Sequence, residues 1–384
     1  MAAAVSPGPA SVRSGGGELR ALTGLRIVAA AWVVLFHFHF TALPGMAILV
    51  DATGPLITTG ALGVDLFFVL SGFVIAYTYL DRLGPALRVG AATQFVWARA
   101  RRLWPAYALV VNVFGLWIGA RLYFGRDDQI AFQAVQPEVG LRAWVEQMFM
   151  VQLWDRPFFD GASWVGSTWS ISAEWLAYLL FPVTALVFYR LRNLPRVALT
   201  LGALLLMAPI AWAYLRVGHP YFPWSWLVRI LCGFGAGVLT LLVVRRIDPT
   251  ARVRRAASRL ATATAVFIGA GLCLGELLGP GRGGAVIVLF PVLVGALALA
   301  DRGVAQFLSA PPMVYGGRIS YSLYLVHIPI FEVYWLAMAY LPELHQPTLT
   351  AHLVGAGVLL ATVPVAQLLY RMVENPCRHR PVSA

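Results

Sequence analysis

Residues 22–40 read LTGLRIVAAAWVVLFHFHF. From Ile27 onward the run is apolar and aromatic, broken only by His37 and His39, and it stays apolar to about residue 50. A stretch of this length crosses the roughly 30 Å hydrocarbon layer of a bilayer as a helix. Similar runs follow at about 55–80, 103–123, 168–189, 197–216, 225–244, 260–279, 285–300, 319–340 and 351–370. The chain is therefore expected to be an all-α polytopic membrane protein with about ten transmembrane helices. Prolines at 182, 209, 291, 329 and 364 fall inside these runs. Membrane helices tolerate them where neighbours re-satisfy the freed carbonyls.

The composition agrees. Of 384 residues, 59% are apolar and 12% charged, about half the charged share of a soluble domain. That surplus of apolar side chains cannot fit one globular core, which excludes a water-soluble enzyme and a disordered chain. The net charge of +12 implies no nucleic-acid partner, because loops on the cytoplasmic side of a membrane protein are basic. The basic residues are all arginine, and most fall in alternate loops: Arg82 to Arg102, Arg190 to Arg196 and Arg245 to Arg259 on one side, against Arg121, Arg126, Arg142 and Arg156 beside Asp127, Asp128, Asp155 and Asp160 on the other. This asymmetry predicts a multi-pass protein of the plasma membrane with both termini cytoplasmic. Residues 1–19 are expected to be a flexible cytoplasmic tail without a cleavable signal, 20–376 the transmembrane domain, and 377–384 a second cytoplasmic tail. Leu141 to Trp154 reads as a short helix lying in the membrane interface or dipping into it. Cys232, Cys273 and Cys377 lack metal or disulfide spacing, and no metal site is expected.

Ionisable groups at membrane depth are costly and mark function. Those here are His37, His39, Asp65, Glu174, Arg229, His327 and Glu332. Arg26 and His37 are eleven residues apart, close to three helical turns, so they share a face about 16 Å apart. Arg26 can hold an anionic head and His37 can meet the reactive end of a ligand entering from the cytoplasm; the alternative is a membrane anchor and a packed polar residue. His39 points to another face. Arg99 and Arg102 share a face and suit a bidentate phosphate clamp. Asp65 pairs with a cation or caps a broken helix. Glu174, one turn after Ser170, needs a partner, for which His37 or His327 is the natural candidate. His327 follows Ser320 and Tyr324 on one face. Acids and bases from several helices thus converge at one depth, as in a buried catalytic or transport site.

Five motifs occur in order: Arg26-x10-His37, GVDLFFVLSG at 63–72, Arg99-x-x-Arg102-x-x-Pro105, WSISAE at 169–174 and SYSLYLVH at 320–327, followed by VENP at 373–376. Together they resemble the acyltransferase-3 family of bacterial integral-membrane O-acyltransferases over about residues 20–380. One departure is Trp104, where the family usually has a smaller residue. The resemblance implies an acyl-CoA donor used as co-substrate from the cytoplasm, no permanently bound cofactor, and a hydroxyl acceptor, usually on a sugar. It implies a compact form without an extracytoplasmic hydrolase domain. Relatives of that size include acylators of macrolides, so a glycosylated secondary metabolite is one expected acceptor. By motif match His37 is the expected catalytic base, assisted by Glu174. Arg26, Arg99 and Arg102 are the expected donor-binding residues. Asp65, Ser170, Tyr324 and His327 are expected in the donor- and substrate-binding polar centre. The rival reading is a proton-coupled secondary transporter, since midplane His and Glu also suit a proton relay.

Overall fold

The computed structural model describes residues 17–124, 130–131 and 133–379. Most of the expected N-terminal tail, Arg126, Asp127, Asp128, and Arg380 with the end of the second tail lie outside the described residues. Ten helices are long and apolar enough to cross a membrane, as expected: α1 (Arg20–Phe38), α2 (Leu62–Leu83), α3 (Val89–Tyr123), α4 (Gly166–Leu191), α5 (Arg196–Val217), α6 (Ser225–Val244), α7 (Ala251–Leu278), α8 (Arg282–Leu299), α9 (Pro311–Tyr340) and α10 (Leu349–Cys377). Among the described residues there is no strand.

Two expected boundaries are corrected. The first apolar run is not one span to residue 50. It ends at Phe38, and a separate ten-residue helix, Pro44–Thr53, buries none of its side chains. Pro44 starts this new helix at a position where its missing N–H costs nothing. His37 therefore lies in the last turn of α1, not in mid-helix. α3 begins at Val89, well before the apolar run expected from about residue 103, so Pro105 sits inside it. Arg99, Arg101 and Arg102 are helical residues of its first half. In the stretch expected to hold an interfacial helix, Leu141 to Trp154, a shorter helix forms, Leu141–Met148. It buries Ala143 and Gln147 and turns Leu141, Trp144 and Val145 outward.

Small residues bring the central helices together, as small-xxx-small packing requires in lipid. α6 lies so close to α2 that a Cβ at Gly237 would stand 2.0 Å from the Val69 carbonyl oxygen. α9 meets α1 in the same way: a Cβ at Gly317 would stand 1.8 Å from the carbonyl of Thr23. This second contact sets α1 and α9 in register and fixes which of their polar residues face each other. α7 and α10 are the least buried spans and form part of the periphery.

Asp65 on α2 and Arg229 on α6 form a bidentate ion pair, Nε–Oδ1 and Nη2–Oδ2 both 2.8 Å, with each side chain 1% exposed. The guanidinium also lies over the Trp169 ring at 4.9 Å. At the other ends of the same two helices Arg245 pairs with Asp81 at 3.0 Å. The α2–α6 pair is thus tied electrostatically at both ends and closed by glycine between them.

Candidate active site

His37 and His327 meet across the α1–α9 contact. Nδ1 of His37 is 3.0 Å from Nε2 of His327 and 2.9 Å from the Val33 carbonyl oxygen. A carbonyl can only accept, so Nδ1 of His37 carries the proton and Nε2 of the neutral ring carries the lone pair. Nε2 of His327 then faces that N–H as an acceptor. Both rings are buried. Phe36 and Phe331 pack edge-on against the pair.

Beside the pair lies a cavity of about 90 Å³, room for several waters or a short acyl group. One face of α2 lines it over Val64, Phe67, Ser71 and Ile75, a run of about 16 Å. Arg26, Arg102 and Tyr178 line one end; Phe67, Ser170 and Tyr324 line the other. The Tyr324 ring is 5.7 Å from that of His327. The chamber stops at this tyrosine, and the histidine pair stands behind it.

The polar groups of the chamber have definite partners. Ser71 Oγ donates to Glu174 Oε1 at 2.6 Å and Tyr178 OH donates to the same oxygen at 2.5 Å. Ser170 Oγ and Tyr324 OH are 2.6 Å apart, and both reach the Ser167 carbonyl, at 3.1 and 2.8 Å. Arg26 and Arg102 differ. Both face the chamber, and neither has a carboxylate within salt-bridge distance among the described residues. Glu174 and Glu374 lie within electrostatic reach of Arg26, but Arg102 adds like charge beside it. Two half-buried guanidinium groups without ion-pair partners constitute an anion-holding end.

The expected residues do not all meet the partners or reach the site expected of them. Glu174 meets Ser71 and Tyr178, and the partner of His37 is His327. Both oxygens of Asp65 are taken by Arg229, which makes it half of a structural pair outside the chamber lining. Arg99 donates to Tyr79 OH at 3.0 Å and lies over that ring at 5.2 Å, away from the chamber wall. Glu332 accepts from the Ala131 backbone N–H at 2.8 Å, fastening a loop. His39 bonds to the Phe36 carbonyl on its own helix.

Sequence reasoning missed Tyr178 and Ser71 as partners of Glu174, although Tyr178 is one turn further along its helix. It also missed Glu374, which is 2% exposed and accepts from Ser322 Oγ at 2.8 Å. Glu374 ends a π-helical turn, Tyr370–Glu374. Such turns interrupt α-helices most often at functional sites. The VENP motif was the available signal. Among the described residues no three His, Cys, Asp or Glu side chains converge as metal ligands do.

The arrangement defines a class: a polytopic helical membrane protein with a buried histidine pair beside a chamber that ends in unpaired arginines. The chain belongs to the acyltransferase-3 family; the family profile, an acyltransferase domain, matches residues 19–371. The chain is similar to acyltransferase MdmB of Streptomyces mycarofaciens, 27% identical over 95% of this chain and 94% of the relative. It is also similar to the putative peptidoglycan O-acetyltransferase YrhL of Bacillus subtilis, 25% identical over 93% of this chain, and to the peptidoglycan O-acetyltransferase OatA of Listeria monocytogenes, 24% identical over 93% of this chain. It spans only 54% and 55% of those two proteins. No solved structure matches the chain.

Proposed function

We propose that the protein is a membrane-bound O-acyltransferase of the plasma membrane. It moves an acyl group from acyl-CoA to a hydroxyl of a sugar, a glycan or a glycosylated secondary metabolite such as a macrolide. The observation that carries this reading is the pairing of unpartnered Arg26 and Arg102 at one end of the chamber with the His37–His327 pair beyond the other. In the proposed topology both termini are cytoplasmic, and the donor's anionic head approaches Arg26 and Arg102 from that side. The family membership supports acyl transfer; the CoA donor is argued from the arginines, whose forks suit phosphate.

In the proposed step the acceptor hydroxyl gives its proton to Nε2 of His37 and its oxygen attacks the thioester carbonyl. The C–S bond breaks, and the thiolate leaves and takes up the proton. The Val33 carbonyl and His327 hold the Nδ1–H side of the ring, so the imidazolium that forms is hydrogen-bonded as it forms. Tyr324, between chamber and histidines, has to turn for the reactants to meet.

The test is release of free thiol from acetyl-, propionyl- and isovaleryl-CoA by the purified, detergent-solubilised protein with sugar and macrolide acceptors. Acceptor-dependent release that disappears in His37→Ala is the expected result. No release with any pair, together with no binding of acyl-CoA, overturns the reading.

A further inference from the structure

The Tyr324 end of the chamber is also walled by Phe68. Trp169 stands edge-on to Phe68, with ring centroids 6.2 Å apart, and stacks on Phe159 at 4.7 Å and 19°. Phe159 in turn meets Tyr221 at 5.5 Å, and His219 stacks on Tyr221 at 5.5 Å and 18°. A continuous aromatic ladder thus runs from the chamber wall to the surface, at the end away from Arg26 and Arg102. Its outer members, Tyr221 and His219, are exposed, Tyr221 by 42%.

Asp160 stands beside Phe159 in sequence and within electrostatic reach of Tyr221. It is exposed and has no cation within salt-bridge distance among the described residues. Gly161 presents it: its φ is +69° and a Cβ there would stand 2.7 Å from Val135. The two loops of the patch are fastened together. The Trp224 N–H donates to the Pro157 carbonyl at 2.6 Å, and Trp226 Nε1 donates to the Arg156 carbonyl at 2.9 Å. Trp224 has φ +63°, a left-handed conformation that a bulky residue adopts at a cost and that clusters at functional sites. The patch is therefore a constructed surface and not a fraying loop.

An exposed tyrosine beside a half-buried phenylalanine, flanked by a carboxylate with no cation within salt-bridge distance among the described residues, matches one ligand chemistry well. The C–H face of a pyranose stacks on the rings while two neighbouring hydroxyls donate to the carboxylate. We infer that Phe159, Tyr221 and Asp160 form a docking platform for a sugar ring at the chamber end opposite the arginines. The inference rests on the acyltransferase reading only in taking that sugar as the acceptor. Donor and acceptor then approach from opposite ends and meet near Tyr324.

The test separates binding from turnover. Saturation-transfer NMR is recorded on the full-length protein in detergent with methyl β-D-glucopyranoside, and with cyclohexylmethanol as a control without vicinal hydroxyls. The expected result is transfer to the glucoside ring protons, lost in Tyr221→Ala and kept in Tyr221→Phe. Asp160→Asn is expected to weaken glucoside binding about tenfold, with the control alcohol giving no signal throughout. No glucoside signal, or equal signals in all variants, overturns the platform, as does equal transfer to the control alcohol, which marks a mere interfacial aromatic belt. Thiol release from acyl-CoA, measured on the same preparations, decides the acyltransferase reading on its own.

Discussion

Nδ1 of His37 lies between two acceptors, the Val33 carbonyl at 2.9 Å and Nε2 of His327 at 3.0 Å. The first comes from its own helix and fixes the tautomer. The second comes from α9 and exists only because Gly317 lets the two helices close. When Nε2 of His37 accepts a proton, the charge is already hydrogen-bonded on the far side of the ring. The relation is that of a base and its orienting partner, with an imidazole where a carboxylate is more common.

The two histidines should therefore act as a unit. His37→Ala is expected to lower turnover by about 10²–10⁴. His327→Ala should lower it less, and the double variant should be no worse than His37→Ala alone, since members of one unit are not additive. Steady-state thiol release from the three variants checks this; additive losses would show that the rings act separately.

At the other end, Arg26→Ala and Arg102→Ala should each raise the donor KM by about 10- to 100-fold, the value of hydrogen bonds to a charged group. Lysine at either position should recover only part, because one ammonium cannot reproduce a guanidinium fork. Arg99→Ala should change the donor KM little, since Arg99 is engaged with Tyr79. Donor KM across this series, with kcat recorded beside it, decides whether Arg26 and Arg102 hold the donor's anionic head.

Asp65 and Arg229 make a stability prediction. Removing one partner leaves a buried charge and should cost about 3–5 kcal/mol. Replacing both, Asp65→Leu with Arg229→Met, should recover most of that loss. Thermal unfolding of the detergent-solubilised protein reads this directly. Singles as stable as the parent would mean that the pair contributes nothing net.

Much of the fold was legible because transmembrane helices announce themselves by length and hydropathy alone. The ten spans follow from that. The end of α1 was not legible, because residues 39–50 stay apolar after the helix stops and only Pro44 marks the break. The site was legible as a set of residues but not as a set of pairs. His37 and His327 are 290 positions apart, and no local pattern says that α1 faces α9. Asp65 looked like a site residue because a lone acid in a span demands a cation; the cation, Arg229, lies on another helix. Glu374 was hidden because the π turn that buries it has no hydropathy signature.

Glu174 provides the sharpest contrast between the sequence pattern and the geometry. A carboxylate at that depth suggested an orienting group for His37. Its Oε1 instead accepts from Ser71 and Tyr178, and its charge lies within reach of Arg26. Glutamine keeps an oxygen able to accept both hydroxyls and removes only the charge. Glu174→Gln should then strengthen the hold of Arg26 and Arg102 on an incoming anion, and the donor KM should fall severalfold. The pH profile of kcat should not move, because the proton path through His37 does not pass through Glu174. A 100-fold loss of kcat at unchanged donor KM would place Glu174 in that path, and would mean that the chamber rearranges on binding so that the carboxylate reaches the imidazole.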